Sequence, residues 1–236
     1  MGYNKSMVIH GLNKLTLLDY PLHTACTIFT GGCNFRCPFC HNRSLVLAPE
    51  TQPVISEDEV LSFLKKRVGV LEGACITGGE PTLQPDLFEF CAKVKSLGYK
   101  VKLDTNGTNP KLLKKLIDAN FLDYVAMDIK NSLTNYGLSV GIEKFNTANI
   151  EESAKLLLTN CVDYEFRTTV VKEFNSAEDF REIATWLSGA KKYFLQTFKD
   201  SGDLINNTLH AAESNEMHNF LDILSEKIVK VEIRES

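Results

Sequence analysis

Three cysteines stand close together in the string GGCNFRCPFCHN: Cys33, Cys37 and Cys40, spaced C-x3-C-x2-C. Three thiolates on one short loop can surround a single metal centre. Structural zinc wants four ligands, and iron–sulfur cubanes usually take four cysteines. The local count here stops at three. On a four-iron cluster this leaves one iron without a protein ligand. By analogy with zinc, an open metal position marks a reactive site rather than a structural one. The alternative is zinc held by Cys33, Cys37, Cys40 and His41, which asks two adjacent residues to ligate one ion. Pro38 stiffens the loop, and Phe39 offers an aromatic face beside it. The other cysteines, Cys26, Cys75, Cys91 and Cys161, fall in strand or helix patterns and read as small core residues.

Further polar motifs recur along the chain. Thr77-Gly78-Gly79-Glu80-Pro81 pairs two glycines, which let a ligand approach the backbone, with a carboxylate that can accept from an ammonium group. Its plain alternative is a strand-to-helix turn. Asp104-Thr105-Asn106-Gly107 contains a common tight-turn pair. Asp128-Ile129-Lys130 reads equally as a helix cap and a solvated charge. Arg167 and Thr169 lie in an apolar run, where a buried guanidinium needs a partner such as a carboxylate. Gln196 to Lys199 closes the series.

The elements that must position these residues are legible from periodicity. Short apolar runs predict strands at 24–30, 73–77, 100–104, 124–128, 164–171 and 192–196. Amphipathic stretches at 56–68, 86–97, 111–119, 150–158, 177–187 and 214–227 predict helices, with a last apolar run at 228–233. Ser56 and Glu59 have capping-box spacing, and Gly98 is a stop signal. Alternation of strand and helix implies βαβ units and a parallel sheet. Every polar motif then follows or occupies the C-terminal part of a strand, where barrels and open α/β sheets bind ligands. The expected fold is therefore α/β, an open (β/α)6 partial TIM barrel whose parallel sheet curves around one site. We expect a single domain over 1–236, with a core at about 20–200 and a C-terminal helix-and-strand extension at 213–236.

Composition narrows the function classes. The 236 residues are 44% hydrophobic and 24% charged, ordinary for a globular protein. The formal net charge of −4 gives no footprint for nucleic acid. No apolar stretch reaches a membrane span, and MGYNKSMVIHGLNK lacks the apolar core of a signal peptide. Met1, Gly2 and Ser6 fit the N-myristoylation pattern, read as chance without a second anchor signal. Seven cysteines, an odd and clustered set, suit a reducing cytoplasm rather than a disulfide scaffold.

CNFRCPFC followed by TGGEP resembles the radical S-adenosylmethionine (SAM) enzymes. The longer string GLNKLTLLDYP…FTGGCNFRCPFCHN is similar to the activating proteins of glycyl radical enzymes, above all those of anaerobic ribonucleoside-triphosphate reductase. DTNG and MDIK also resemble the pyruvate formate-lyase activating enzymes. The motifs run from about Gly11 to Phe198 and cover most of the chain.

The resemblance implies a 4Fe-4S cluster on Cys33, Cys37 and Cys40, with SAM chelating the open iron. It implies reductive cleavage of SAM to methionine and a 5′-deoxyadenosyl radical that generates a glycyl radical on a partner enzyme. Phe39 and the backbone near His41 would lie against adenine and ribose. Gly78, Gly79 and Glu80 would receive the amino group, and Lys130 and Arg167 the carboxylate and ribose region, with Thr169 nearby. Leu195 and Phe198 would close on adenine, although the pyruvate formate-lyase type places a His near Phe198. Asp104, Thr105 and Asp128 match residues that bind a monovalent cation in that relative, and Asp19 matches a position facing the substrate glycine. The partner expected is anaerobic ribonucleotide reductase, and the electron donor flavodoxin or ferredoxin. The alternatives are an activase of pyruvate formate-lyase or another glycyl radical enzyme, and a radical SAM enzyme acting on a small molecule, such as a deazaguanine synthase. An electron-transfer or zinc-binding module would need the missing fourth cysteine.

Overall fold

The computed structural model describes residues 7–200 and 202–235, so the acylation-like pattern at Met1, Gly2 and Ser6 lies outside the described residues. Two compact units divide the chain: Met1–Asn34 with Ser44–Val125, and Phe35–Arg43 with Ala126–Ser236.

The first unit carries β1 (Ile9–Thr16), β2 (Ala25–Thr30), β3 (Gly73–Gly78) and β4 (Lys100–Thr105). β2, β3 and β4 pair in parallel, in register from Ala25 opposite Gly73 to Thr30 opposite Gly78. The segments ACTIFT and GACITG are buried almost throughout, as strands covered on both faces must be. The helices α1 (Arg43–Leu47), α2 (Glu57–Lys65), α3 (Leu87–Ser96) and α4 (Pro110–Asp118) lie between the strands in the chain. Ser56 caps α2 by accepting from the Glu59 N–H, and Asn109 caps α4 ahead of a proline at the first helical position. α3 buries Leu87, Phe90, Cys91 and Val94, the face its periodicity predicts.

The second unit begins within β5 (Tyr124–Asp128) and continues through β6 (Asp163–Val170), β7 (Tyr193–Thr197) and β8 (Val231–Arg234). β6, β7 and β8 are parallel. Its helices are α5 (Tyr136–Val140), α6 (Ala148–Leu158), α7 (Ala177–Trp186) and α8 (Ser214–Ser225). A full capping box between Ser176 and Asp179 starts α7. Phe180 of α7 stacks on Phe220 of α8 with ring centroids 4.5 Å apart, which adds about 1 kcal/mol beyond area burial.

The strand order is β1 through β8 as in the chain, with β1 and β8 as the edges of an open sheet. The α/β class and the parallel sheet match expectation. β1, which pairs antiparallel to β2, was not predicted. Its residues are mostly half-buried or exposed, so it lacks the apolar run that marks the inner strands. α1 and α5 were also missed, since five residues are too few to show helical periodicity. One cysteine needs correction. Cys161 is exposed in the turn after α6 rather than in the core, and its thiol donates to the Leu156 carbonyl. Cys26, Cys75 and Cys91 are core residues as expected. Burial pushes the Cys26 and Cys91 thiols up to about 12, so both are inert. No helix among the described residues is long and apolar enough to cross a membrane.

Candidate active site

In the first unit the end of β2 feeds the stretch leading to Cys33, and β3 runs out beside it. The Gly79 N–H donates to the Thr30 carbonyl and the Glu80 N–H to the Gly32 carbonyl, each at 2.8 Å. Gly32 itself donates to Leu45, and the Gln84 amide donates to Gly31, both at 2.8 Å. The approach is so close that a Cβ on Gly79 would lie 2.0 Å from the Gly32 carbonyl oxygen. Two backbones can run this near only if one lacks a side chain. Gly79→Ala is therefore expected to displace the segment before Cys33 and to destabilise the fold by about 3 kcal/mol, at the upper end of overpacking costs. A urea melt of the purified protein checks it.

Glu80 is almost wholly buried. Its carboxylate accepts from the Thr82 N–H and hydroxyl, from the Thr105 hydroxyl at 2.7 Å and from the Asn106 N–H at 2.7 Å. Burial pushes its pKa up, and these donors oppose that rise. The carboxylate thus ties the turn after β3 to the turn after β4. From Asn106 the network reaches the cysteine loop. Its side-chain amide donates to Asn34 at 2.9 Å and approaches the Cys33 sulfur at 3.9 Å. Asn106 was visible in the DTNG motif but was not singled out as a site residue. Amide donors to cluster sulfurs are a known lever on iron–sulfur centres, which is the signal that would have found it.

Below these turns, Asp104 pairs with Lys102, a lysine buried beside Cys75. Asp19 accepts from the Thr27 hydroxyl, while its own N–H bonds to Thr16. By register Thr27, Cys75 and Lys102 stand abreast on β2, β3 and β4.

The second unit holds the rest of the loop. Cys40 N–H closes a turn on the Cys37 carbonyl at 3.0 Å. Arg36 N–H donates to Val140 at the end of α5, and Asn206 N–H donates to the Pro38 carbonyl. Phe35 packs edge-on against Tyr136 and Phe145. Gly141, at φ +69°, ends α5 where a side chain would strike the Arg36 carbonyl. The Phe39 ring lies 5.9 Å from Phe174, with the Lys130 ammonium 6.0 Å from its centroid. His41 faces Phe198 with ring centroids 5.8 Å apart.

Asp128, Lys130 and Arg167 form one ion cluster. Arg167 Nε lies 2.5 Å and Lys130 Nζ 3.0 Å from the two carboxylate oxygens. Burial alone would raise the pKa of Asp128, but the Arg167 and Lys130 charges hold it well below the usual carboxylate range. Lys130 is held above its ordinary value against its own burial, by Asp128 first and then by Cys37. A carboxylate with a depressed pKa stabilises the fold above its unfolded pKa and loses that contribution as pH falls below about 4. Asp128→Asn is expected to cost about 3 kcal/mol, because two buried cations lose their counter-ion. It is also expected to remove part of the acid sensitivity, as urea melts at pH 7 and pH 3 would show.

Thr169 sits two residues along β6 from Arg167, on the same face. Leu195 does not join them. It pairs with Thr168 in register, fully buried, on the opposite face of β7. Any contact it makes on the Arg167 side must use its backbone.

The donor set suits an iron–sulfur group. The three loop cysteines offer thiols, soft donors of the kind that select such clusters. Burial pushes the Cys40 thiol up, and the Asn42 backbone and the Lys130 charge counter it, so metal binding there would displace a proton. Among the described residues no group of three or more His, Cys, Asp or Glu is gathered to hold a single metal ion.

Residues 27–187 match the model of the radical SAM superfamily. The chain belongs to this superfamily. A Methanocaldococcus jannaschii protein named as a glycyl-radical enzyme activating enzyme is 32% identical over 234 residues, spanning 96% of this chain and 95% of its own. A 7-carboxy-7-deazaguanine synthase of Koribacter versatilis is 31% identical over 140 residues, 57% of this chain and 56% of that one. The Streptococcus suis protein SuiB, solved with SAM bound, shares the fold at a TM-score of 0.67 and 13% identity, over 86% of this chain and 48% of SuiB. The chain thus spans only about half of these last two proteins. Membership makes this radical SAM protein an enzyme with the open α/β partial-barrel fold, and implies a 4Fe-4S cluster and SAM as its cofactors.

Proposed function

We propose that this radical SAM protein is an activase that installs a glycyl radical on a partner enzyme, with anaerobic ribonucleoside-triphosphate reductase as the first partner. The observation that carries this reading is end-to-end similarity to the Methanocaldococcus jannaschii protein, against the partial match to the deazaguanine synthase. When bound, the cluster and SAM supply reductive cleavage and a 5′-deoxyadenosyl radical able to take hydrogen from a glycine Cα.

The chain's own residues bind and orient. In this proposal Cys33, Cys37 and Cys40 hold the cluster at three irons. The Gly78–Gly79 backbone meets the amino group of SAM, with Glu80 fixing that turn through its four donors. Lys130, kept cationic by Asp128, and Arg167 take the carboxylate and ribose side, with Thr105 and Thr169 nearby. Phe39, His41 and Phe198 form an aromatic wall for adenine, helped by the Leu195 backbone. Such placement is the protein's main contribution, since small misplacements cost orders of magnitude in rate. Asp19 faces the substrate glycine. A monovalent cation at Asp104, Thr105 and Asp128 would share carboxylates that already carry counter-ions. Asp104 already has the Lys102 ammonium as counter-ion, and Asp128 has Lys130 and Arg167. The proposal also includes a one-electron donor of the flavodoxin or ferredoxin type, one domain over the whole chain, and a cytoplasmic setting.

Anaerobic incubation with dithionite, SAM and candidate partners tests this. A glycine doublet in electron paramagnetic resonance on one partner supports the reading and names that partner. SAM cleavage that never yields a doublet, but converts a small carboxylated heterocycle, would replace it with the deazaguanine synthase alternative.

A further inference from the structure

The face of the second unit that carries Arg167 and Thr169 extends beyond the residues assigned to cofactors. Register places Arg167 beside Phe194 and Thr169 beside Gln196, then Phe194 beside Glu232 and Gln196 beside Arg234. Strand alternation puts Glu165 on this same face, one step before Arg167. The Glu165 side chain is 0% exposed, and its partner Arg234 is 35% exposed. The pair is a fork, Nη1 to Oε1 at 3.1 Å and Nη2 to Oε2 at 3.4 Å. Arg234 starts level with Gln196, so its side chain reaches back across β7 to Glu165. On the way its guanidinium carbon lies 3.5 Å from the centroid of the Phe194 ring.

A buried ion pair commonly contributes no more than apolar residues of equal volume. What the pair does create is a rigid, planar donor group. Phe194 fixes its plane by stacking, and Glu165 fixes its rotation and offsets its charge. A guanidinium has five N–H donors, and this fork engages two. With its charge offset, the group suits a neutral acceptor better than a free anion. β8 is also an edge of the open sheet, so an extended segment can reach Arg234 without crossing another strand.

We infer that Arg234 positions the polypeptide substrate, donating from its Glu165- and Phe194-fixed guanidinium to a backbone carbonyl of the partner's glycine-bearing segment. The inference rests on the activase reading above and identifies where the second unit grips that segment.

The test is glycyl radical formation as a function of partner concentration, in the reconstituted enzyme. Arg234→Ala is expected to raise KM for the partner by at least about tenfold, while kcat changes by less than about threefold. SAM consumed per glycyl radical should rise, because the target is held less well. Arg234→Lys should not restore KM, since an ammonium cannot fork and stack. Arg234→Gln gives the same reading should the alanine variant fold poorly. A partner KM within about twofold of the unaltered protein overturns the inference. So does an equal rise in KM for SAM, which would mark a general disturbance of the unit. If the unaltered protein raises no glycyl radical on any partner, the activase reading fails and this inference with it. If it does and the variants match it, only the role of Arg234 fails.

Discussion

Cys37→Ala is expected to abolish the cluster's iron and to cut reductive SAM cleavage by more than about a thousandfold, because the chemistry belongs to the cofactor that this thiolate holds. The contrast is with Cys26→Ala. Cys26 is wholly buried in β2, its thiol pushed up to about 12 by burial, and it behaves as a small apolar core residue. That variant should keep its iron and cleave SAM, with only a modest loss of stability. Iron analysis and SAM turnover on anaerobically purified proteins check both. Retention of iron and turnover in Cys37→Ala would remove that residue from the ligand set.

The second large effect lies away from the cysteines. Glu80→Ala leaves two backbone N–H groups and two hydroxyls without their acceptor, in a place that is almost fully buried. Each orphaned donor costs about 1–3 kcal/mol, and local relaxation recovers part, so a loss of about 4 kcal/mol is expected. That is a large share of the 5–15 kcal/mol typical of a domain. The turns after β3 and β4 should loosen together, weakening SAM binding as well. Glu80→Gln keeps an acceptor oxygen and should lose less on both counts. Urea melts and SAM equilibrium binding separate the two effects. A stable alanine variant with intact SAM affinity would show that the tie is dispensable.

Much of this was legible in the sequence, for identifiable reasons. β2 and β3 are parallel strands buried almost throughout, and burial on both faces gives them mostly apolar runs such as ACTIF and ACIT. Each polar motif could then be placed at a strand end. Arg167 was singled out because a charge inside an apolar run needs a counter-charge, and Asp128 is that partner. What escaped was set by long-range pairing or by short elements. β1 owes its strand state to β2 rather than to its own pattern. Two of the four donors to Glu80 come from Thr105 and Asn106, 25 and 26 positions away, so no local spacing announces that half of the cage. The Glu165–Arg234 fork spans 69 positions and was invisible for the same reason. Cys161 was misread as a core residue, whereas it lies exposed in the turn after α6, beyond the helix end at Leu158.

The central claim is that three thiolates leave one iron for SAM, and one measurement tests it most directly. The unaltered protein, reconstituted without oxygen and reduced, would be followed by electron paramagnetic resonance as SAM is added. A reduced-cluster signal that changes shape and saturates with SAM, and that broadens when the carboxylate oxygens of SAM carry their magnetic isotope, is the predicted result. A signal indifferent to SAM, or iron sites all accounted for by protein ligands, would contradict the account.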